Sequence, residues 1–215
     1  EAAGDPRYRK LRGAIEEVEE WALAEGAIPV SAVWRFYPAE AHGQELLLRD
    51  PDQLRVAARW ELPRQARNGG LSLVDYVLPG DHVALFVTTA GRGIREHVEA
   101  FKQRGDYLKS HILAALALES AEAAAELVHR RLRAAWGFAD PDDLDPRDLF
   151  AARYRGKRYS FGYPACPDLG GQRALFATLE PEQIGVTLTE GDMMDPEASV
   201  SALVFHHPDA RYFGA

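Results

Sequence analysis

Apolar residues recur along residues 6 to 25, PRYRKLRGAIEEVEEWALAE, at helical spacing. Leu11, Ile15, Val18 and Leu23 fall near one face and glutamates occupy the other, which predicts an amphipathic helix that stops at Gly26. The pattern then changes to that of strands. AVWRFYPAEAHGQELLL, residues 32 to 48, reads as two extended runs joined by a polar turn. Residues 50 to 70 are ambiguous at first, favour a strand towards Pro63, and end in the loop Asn68-Gly69-Gly70. HVALFVTTA, residues 82 to 90, is short, β-branched and apolar throughout, as a buried strand should be.

Residues 91 to 105 turn into a helix, and a long one follows from about 106 to 135, with a Leu/Ala-rich stripe directed at the core. An acidic, proline-rich turn and a short helix occupy residues 140 to 156. IGVTLTE (184–190) and SVSALVFHH (199–207) are the last strand candidates. Between them, RYRGKRYSFGYPACPDLGGQ (153–172) is basic, then aromatic, and broken by prolines and glycines; no regular helix or strand is expected through it. Helices and strands do not alternate as βαβ units. The fold class predicted is α+β: a single domain, 1–215, with a mostly antiparallel sheet flanked by helices.

Composition narrows the function classes. A formal net charge of −8 argues against a general nucleic-acid binder. Cys166 is the only cysteine, so no intramolecular disulfide can form, and a reducing, cytoplasmic setting is expected. Glu119, Glu122 and Glu126 interrupt the longest apolar run, so no membrane association is expected.

Most candidate motifs dissolve on inspection. Gly91-Arg92-Gly93 lies between a strand and a helix, but Glu96 stands where a dinucleotide fingerprint needs a third glycine. His206 and His207 point to opposite sides of an extended chain and are poorly placed to share a metal. Glu122, Glu126 and His129 share a helix face, which reads as a half-buried polar stripe rather than a metal site. Cys166, between prolines, has no base to activate it and reads as a packed small residue. No catalytic triad, acid–base pair or metal site is expected.

The loop 158–167 offers one guanidinium, Arg158, which can grip a carboxylate with two parallel bonds, together with aromatic rings that can stack on a base or face a cation. These suit a zwitterionic amino acid joined to a nucleoside; a purely structural loop would account for the same residues. RYSFGYPACPDL resembles the Arg-x-x-x-Gly-Tyr-Pro-Ala-Cys-Pro motif of the C-terminal activation domain of cobalamin-dependent methionine synthase. Residues 33–48, 71–138 and 184–213 are similar to other parts of that domain in the same order.

The resemblance implies a bent antiparallel sheet whose shallow groove binds S-adenosylmethionine. It implies methylation of cob(I)alamin, formed by one-electron reduction of cob(II)alamin with a flavodoxin-like or equivalent electron donor. It also implies that cobalamin is held by a separate cobalamin-binding domain. Carried onto this sequence, Arg158 is the motif arginine that pairs with the methionine carboxylate. Ser160, Gly162, Tyr163 and Pro164 follow it, with Tyr163 near the transferred methyl and the docked corrin. Tyr212 and Phe213 form the C-terminal aromatic pair, and Glu122 matches an acidic position near the ligand.

The sequence departs from the family at Ala152, often glutamate there, and at Asp195, often tryptophan. EAAGDPRYRK has no counterpart to the acidic residue that binds the ligand's ammonium, so the N-terminal part of the family domain is expected to be missing. Two other readings stay open: a non-catalytic docking module, and a stand-alone reactivator of a separate corrinoid protein. Arg153, Arg155, Lys157 and Arg158, like Arg130, Arg131 and Arg133, form basic clusters that read either as solvated surface or as a dock for an acidic electron donor.

Overall fold

In the computed structural model, which describes residues 5–213 except 54 and 67, His82–Thr89 is a strand buried on both faces. That is why its sequence is continuously apolar rather than alternating. Six strands make one antiparallel sheet. They are β1 (Ser31–His42), β2 (Glu45–Arg49), β3 (Val56–Glu61), β4 (His82–Thr89), β5 (Lys157–Tyr159) and β8 (Ser199–Phe205), in the order β3-β2-β1-β4-β8-β5. A separate two-stranded ribbon pairs β6 (Thr187–Leu188) with β7 (Met194–Asp195). The long strand β1 serves two ladders end to end: Ser31–Pro38 pair with β4 and Ala39–His42 with β2.

The period-2 alternation of the central strands sorts two cores. Val83, Leu85 and Val87 of β4, with Leu203 and Phe205 of β8, join Leu46, Leu48, Trp60 and α5 (Gln172–Leu179) on one face. Ala84, Phe86, Ala202 and Val204 face the helices on the other. There α3 (Tyr107–Ala135) lays down Leu113, Ala117, Ala121, Ala125, Val128 and Leu132. The small alanines let helix and sheet approach closely. α2 (Ile94–Gln103) and α1 (Pro6–Glu25) pack outside α3, and α4 (Pro146–Phe150) is short.

Three expectations change. α1 is capped by the Asp5 carboxylate, which accepts from Arg7 N at 2.8 Å, and ends at Gly26 in the left-handed region. Its buried face, however, is Val18 and Ala22, while Leu23 is 84% exposed and Leu11 is also exposed. The helix meets its neighbours through Trp21, which sits edge-on to Phe101 with ring centroids 4.9 Å apart. Trp21 anchors the helix beside Val18, while Leu11 and Leu23, at the two ends of the expected stripe, have no surface to cover.

The expected strand 184–190 shrinks to Thr187–Leu188. Ile184 belongs to a 3-10 turn, Pro181–Ile184, closed by Gly185 at φ 80°. The segment 153–172 does contain a strand: β5 pairs Lys157, Arg158 and Tyr159 with Phe205, Val204 and Leu203. Its two cations conceal it, because the patterning that marks a strand is carried by apolar residues. The family departures at the amino terminus lie partly outside the described residues. No helix among the described residues is long and apolar enough to cross a membrane.

Candidate functional site

The edge strand β5 fixes where Arg158 points. Residues opposite each other in an antiparallel pair share a face, and Arg158 is opposite Val204, in the core against α3. Tyr159 is opposite Leu203 and enters the other core. After β5 the chain makes a tight turn. Gly162 sits at φ 84°, its N–H donates to Cys166 O at 3.0 Å, and Cys166 N donates to Tyr163 O at 2.9 Å. The positive φ is available to glycine without a Cβ clash. Ser160 Oγ donates to Ser201 O at 2.8 Å, pinning the turn to β8. Gln65 Nε2 donates to Pro164 O at 2.6 Å from the other side.

A cleft of about 450 Å³ opens between this turn, α3 and the C-terminal residues. Seven of the eight sequence-predicted residues line it: Glu122, Arg158, Ser160, Tyr163, Pro164, Tyr212 and Phe213. Gly162 does not; it shapes the turn instead. Tyr159, Ala165 and Val200 also line the cleft and were missed. Ala165 lies inside the recognised motif and Tyr159 beside its arginine, so both were within reach. Nothing in the sequence ties Val200 on β8 to the loop. Tyr163 and Tyr212 are exposed at the mouth, at 66% and 52%. Phe213 is buried against Tyr76 and Tyr159.

The charges are arranged in depth. Arg158 Nη1 donates to Glu126 Oε2, which also accepts from Tyr154 Oη at 3.1 Å. Nη2 stands 3.7 Å from Glu122, one helical turn earlier and 62% exposed. Behind Glu126, Arg133 is gripped by Asp140, with Nε 2.7 Å from Oδ1, and lies 3.8 Å above the Tyr154 ring. Burial is the largest single influence on Arg158 and opposes its charge, but the hydrogen bond and charge of Glu126, with smaller contributions from Tyr212 and Tyr154, together raise the guanidinium pKa above its ordinary value. Burial pushes the Tyr159, Tyr154 and Tyr212 phenols up, so all stay neutral near pH 7. His129 is fully buried, and burial followed by repulsion from Arg133 drives its pKa well below the ordinary value. It is a neutral ring edge-on to Tyr154.

The basic run is not one exposed patch. Arg158 and Lys157 turn inward, with Lys157 Nζ donating to Tyr154 O at 2.6 Å. Arg153 pairs with Asp148 at 2.9 Å, and Arg155 donates to His206 O at 3.0 Å. Arg133 is likewise buried. Of the departures, Asp195 is paired with Arg95 at 2.6 Å, and Ala152 adopts φ 51°.

Cys166 is 2% exposed, its thiol donates to Ser160 O at 3.0 Å, and burial pushes it up to about 12. The thiolate is the nucleophile, and little of it exists at pH 8. Iodoacetamide at that pH is expected to leave the folded chain unlabelled while a free thiol reacts fully. Mass spectrometry should find one label per chain only after unfolding. Labelling of the folded chain at the free-thiol rate would show that the turn opens readily.

Residues 10–215 match the family described as vitamin B12 dependent methionine synthase, activation domain. Methionine synthase of Mycobacterium tuberculosis (strain ATCC 25618 / H37Rv) is 34% identical over 233 aligned positions, covering 99% of this chain and 19% of that protein. Methionine synthase of Mycobacterium leprae (strain TN) is 34% identical over 205, covering 85% of this chain and 17% of that protein. The chain thus spans about a fifth of the length of these curated relatives. A solved MetH reactivation domain bound to AdoHcy superimposes with a TM-score of 0.89 at 30% identity, covering 97% of this chain and 68% of that one.

Proposed function

The chain belongs to the activation-domain family of vitamin B12 dependent methionine synthase, and on that premise we propose that its cleft binds S-adenosylmethionine for the reductive remethylation of cobalamin. The observation that carries the reading is that seven residues implied by the family resemblance, from three distant stretches of the chain, line one cleft, with a cation at its floor and a carboxylate at its rim. The volume is in the range of small-molecule sites. The AdoHcy bound by the structural relative is the demethylated form of the same ligand, which supports the choice.

The residues present fit that ligand. With Nη1 committed to Glu126, Arg158 still has Nη2 without a hydrogen bond among the described residues. That corner can take the α-carboxylate. Glu122, 3.7 Å from it, matches the adjacent ammonium, since an amino acid carries its two charges one carbon apart. Exposed Tyr163 and Tyr212 offer ring faces to the sulfonium or the adenine. Ser160 holds the turn through its bond to Ser201.

The chemistry supplied is transfer of a sulfonium methyl to the reduced cobalt, cob(I)alamin, whose electron pair forms the new bond as neutral S-adenosylhomocysteine leaves. No proton moves in that step, so the protein needs no acid or base; it needs in-line placement. Phenols that stay protonated suit this role. Tyr163, which stands 66% exposed, is placed to meet a docked corrin. The cobalamin comes from a separate cobalamin-binding domain of a methionine synthase, and the electron from a flavodoxin-like or equivalent donor. The activity served is 5-methyltetrahydrofolate–homocysteine methyl transfer in the cytoplasm.

The reading is tested with S-adenosylmethionine labelled in its methyl group. The chain, the cobalamin-loaded domain and a low-potential reductant together should move label into the corrinoid, and omission of any one should abolish it. Transfer that proceeds equally without this chain would overturn the reading. So would the absence of saturable S-adenosylmethionine binding by calorimetry.

A further inference from the structure

Two carboxylates on successive turns of α3 reach for one guanidinium. Glu126 Oε2 holds Arg158 Nη1, while Glu122 Oε2 stands 3.7 Å from Nη2, just outside hydrogen-bond distance. The two acids differ in setting. The Glu126 side chain is 21% exposed and that of Glu122 62%, so water screens Glu122 far more. Glu126 is also fixed from behind. Tyr154 Oη donates to Oε2 at 3.1 Å, and Arg133 Nη2 stands 3.6 Å from Oε1. Oε1 is buried and has no hydrogen-bond partner, so the hydrogen bonds that hold Glu126 among the described residues are those of Oε2 to Arg158 and Tyr154. Tyr154 is itself packed between the His129 ring and the Arg133 guanidinium.

Resting on the reading of the cleft given above, we propose that Glu126 is the positioning residue that keeps Arg158 apart from Glu122, so that both charges stay available to an α-amino acid head group. Arg158 projects from a three-residue edge strand on a flexible stem. Without the Glu126 charge, the other carboxylate within ion-pair distance of the guanidinium among the described residues is Glu122. A direct Arg158–Glu122 pair would occupy the cation that a ligand carboxylate needs and the anion that its ammonium needs. Selectivity for the amino acid end of the ligand then depends on a residue that does not line the cleft.

The whole chain carrying Glu126→Gln is titrated with S-adenosylhomocysteine and with 5′-methylthioadenosine, which keeps the nucleoside and lacks the amino acid. Affinity for the first is expected to fall about tenfold or more, the size of one charge-assisted contact, while affinity for the second holds. Glu122→Gln added to Glu126→Gln should cost less than the sum of the separate losses, because no rim carboxylate is left to capture Arg158. Tyr154→Phe, which removes only the hydroxyl that steadies Glu126, should give a smaller loss in the same direction and covers the case in which Glu126→Gln does not fold. Equal S-adenosylhomocysteine affinity in the unsubstituted and substituted chains overturns the proposal. Parallel weakening of both ligands does so too, since it would mean general deformation of the cleft, as would strictly additive losses. If the unsubstituted chain binds neither ligand, the reading of the cleft itself fails and takes this inference with it.

Discussion

Arg158→Ala is expected to lower the affinity of the chain for S-adenosylmethionine by about a hundredfold or more, the largest binding effect of any single change. One charge-assisted bond to a carboxylate at about 1.5–3 kcal/mol, together with the loss of the opposing charge, sets that scale. The guanidinium side chain is 19% exposed, so water replaces it poorly once it is gone. The deletion also frees Glu126 into the cleft floor, which turns an anion-accepting site into one that repels the ligand carboxylate. Arg158→Lys should recover only part of the loss. An ammonium is a point charge and cannot hold Glu126 through one nitrogen while offering a second at fixed geometry. Calorimetric titration separates the three proteins. Undiminished binding by Arg158→Ala would place the carboxylate elsewhere and remove the main support for the cleft as the site.

The second large effect concerns stability. Asp140→Ala is expected to destabilise the fold by about 3–5 kcal/mol, the range for removing one partner of a buried ion pair. The Arg133 and Asp140 side chains are 1% and 3% exposed, so solvent offers no substitute. Asp140 takes both Nε and Nη2 of Arg133, and Nη1 already lacks a partner. The nearest remaining carboxylate, Glu126, is 3.6 Å away and engaged with Arg158. Chemical denaturation followed by circular dichroism reads the change as a lower midpoint at constant slope. Arg133→Met with Asp140→Leu, which removes both charges, should be markedly milder than Asp140→Ala. A loss under 1 kcal/mol for Asp140→Ala would show that the chain after α3 moves to hydrate Arg133.

The two effects meet on one helix face. Glu122, Glu126, His129 and Arg133 follow each other at helical spacing along α3, and the tier deepens from the cleft rim to a fully buried guanidinium. In sequence, the first three read as a half-buried polar stripe. The stripe is polar because Arg158, Tyr154 and Asp140 are brought against it from 32, 28 and 7 residues away along the chain.

What the sequence determined by itself was local and periodic. The doubly buried strand 82–89, the long helix ending near 135 and the antiparallel, non-alternating architecture follow from apolar spacing, because burial on one face or two imposes a period that the chain must carry. The family resemblance carried by the motif around Arg158 pointed to seven of the residues that line the cleft, whereas the residues of the loop by themselves fit a purely structural turn as well. Tertiary structure alone decided the rest. It buried Ala22 beside the expected Val18 and left Leu23 in solvent, because α1 could face only the surface that α2 and α3 offer. It made a strand of Lys157–Tyr159 by giving it β8 to pair with. It scattered a contiguous basic run into separate ion pairs and carbonyl contacts. Charges act through distance in space, and their strength depends on how much water is left around them; neither quantity is recorded in the order of residues along a chain.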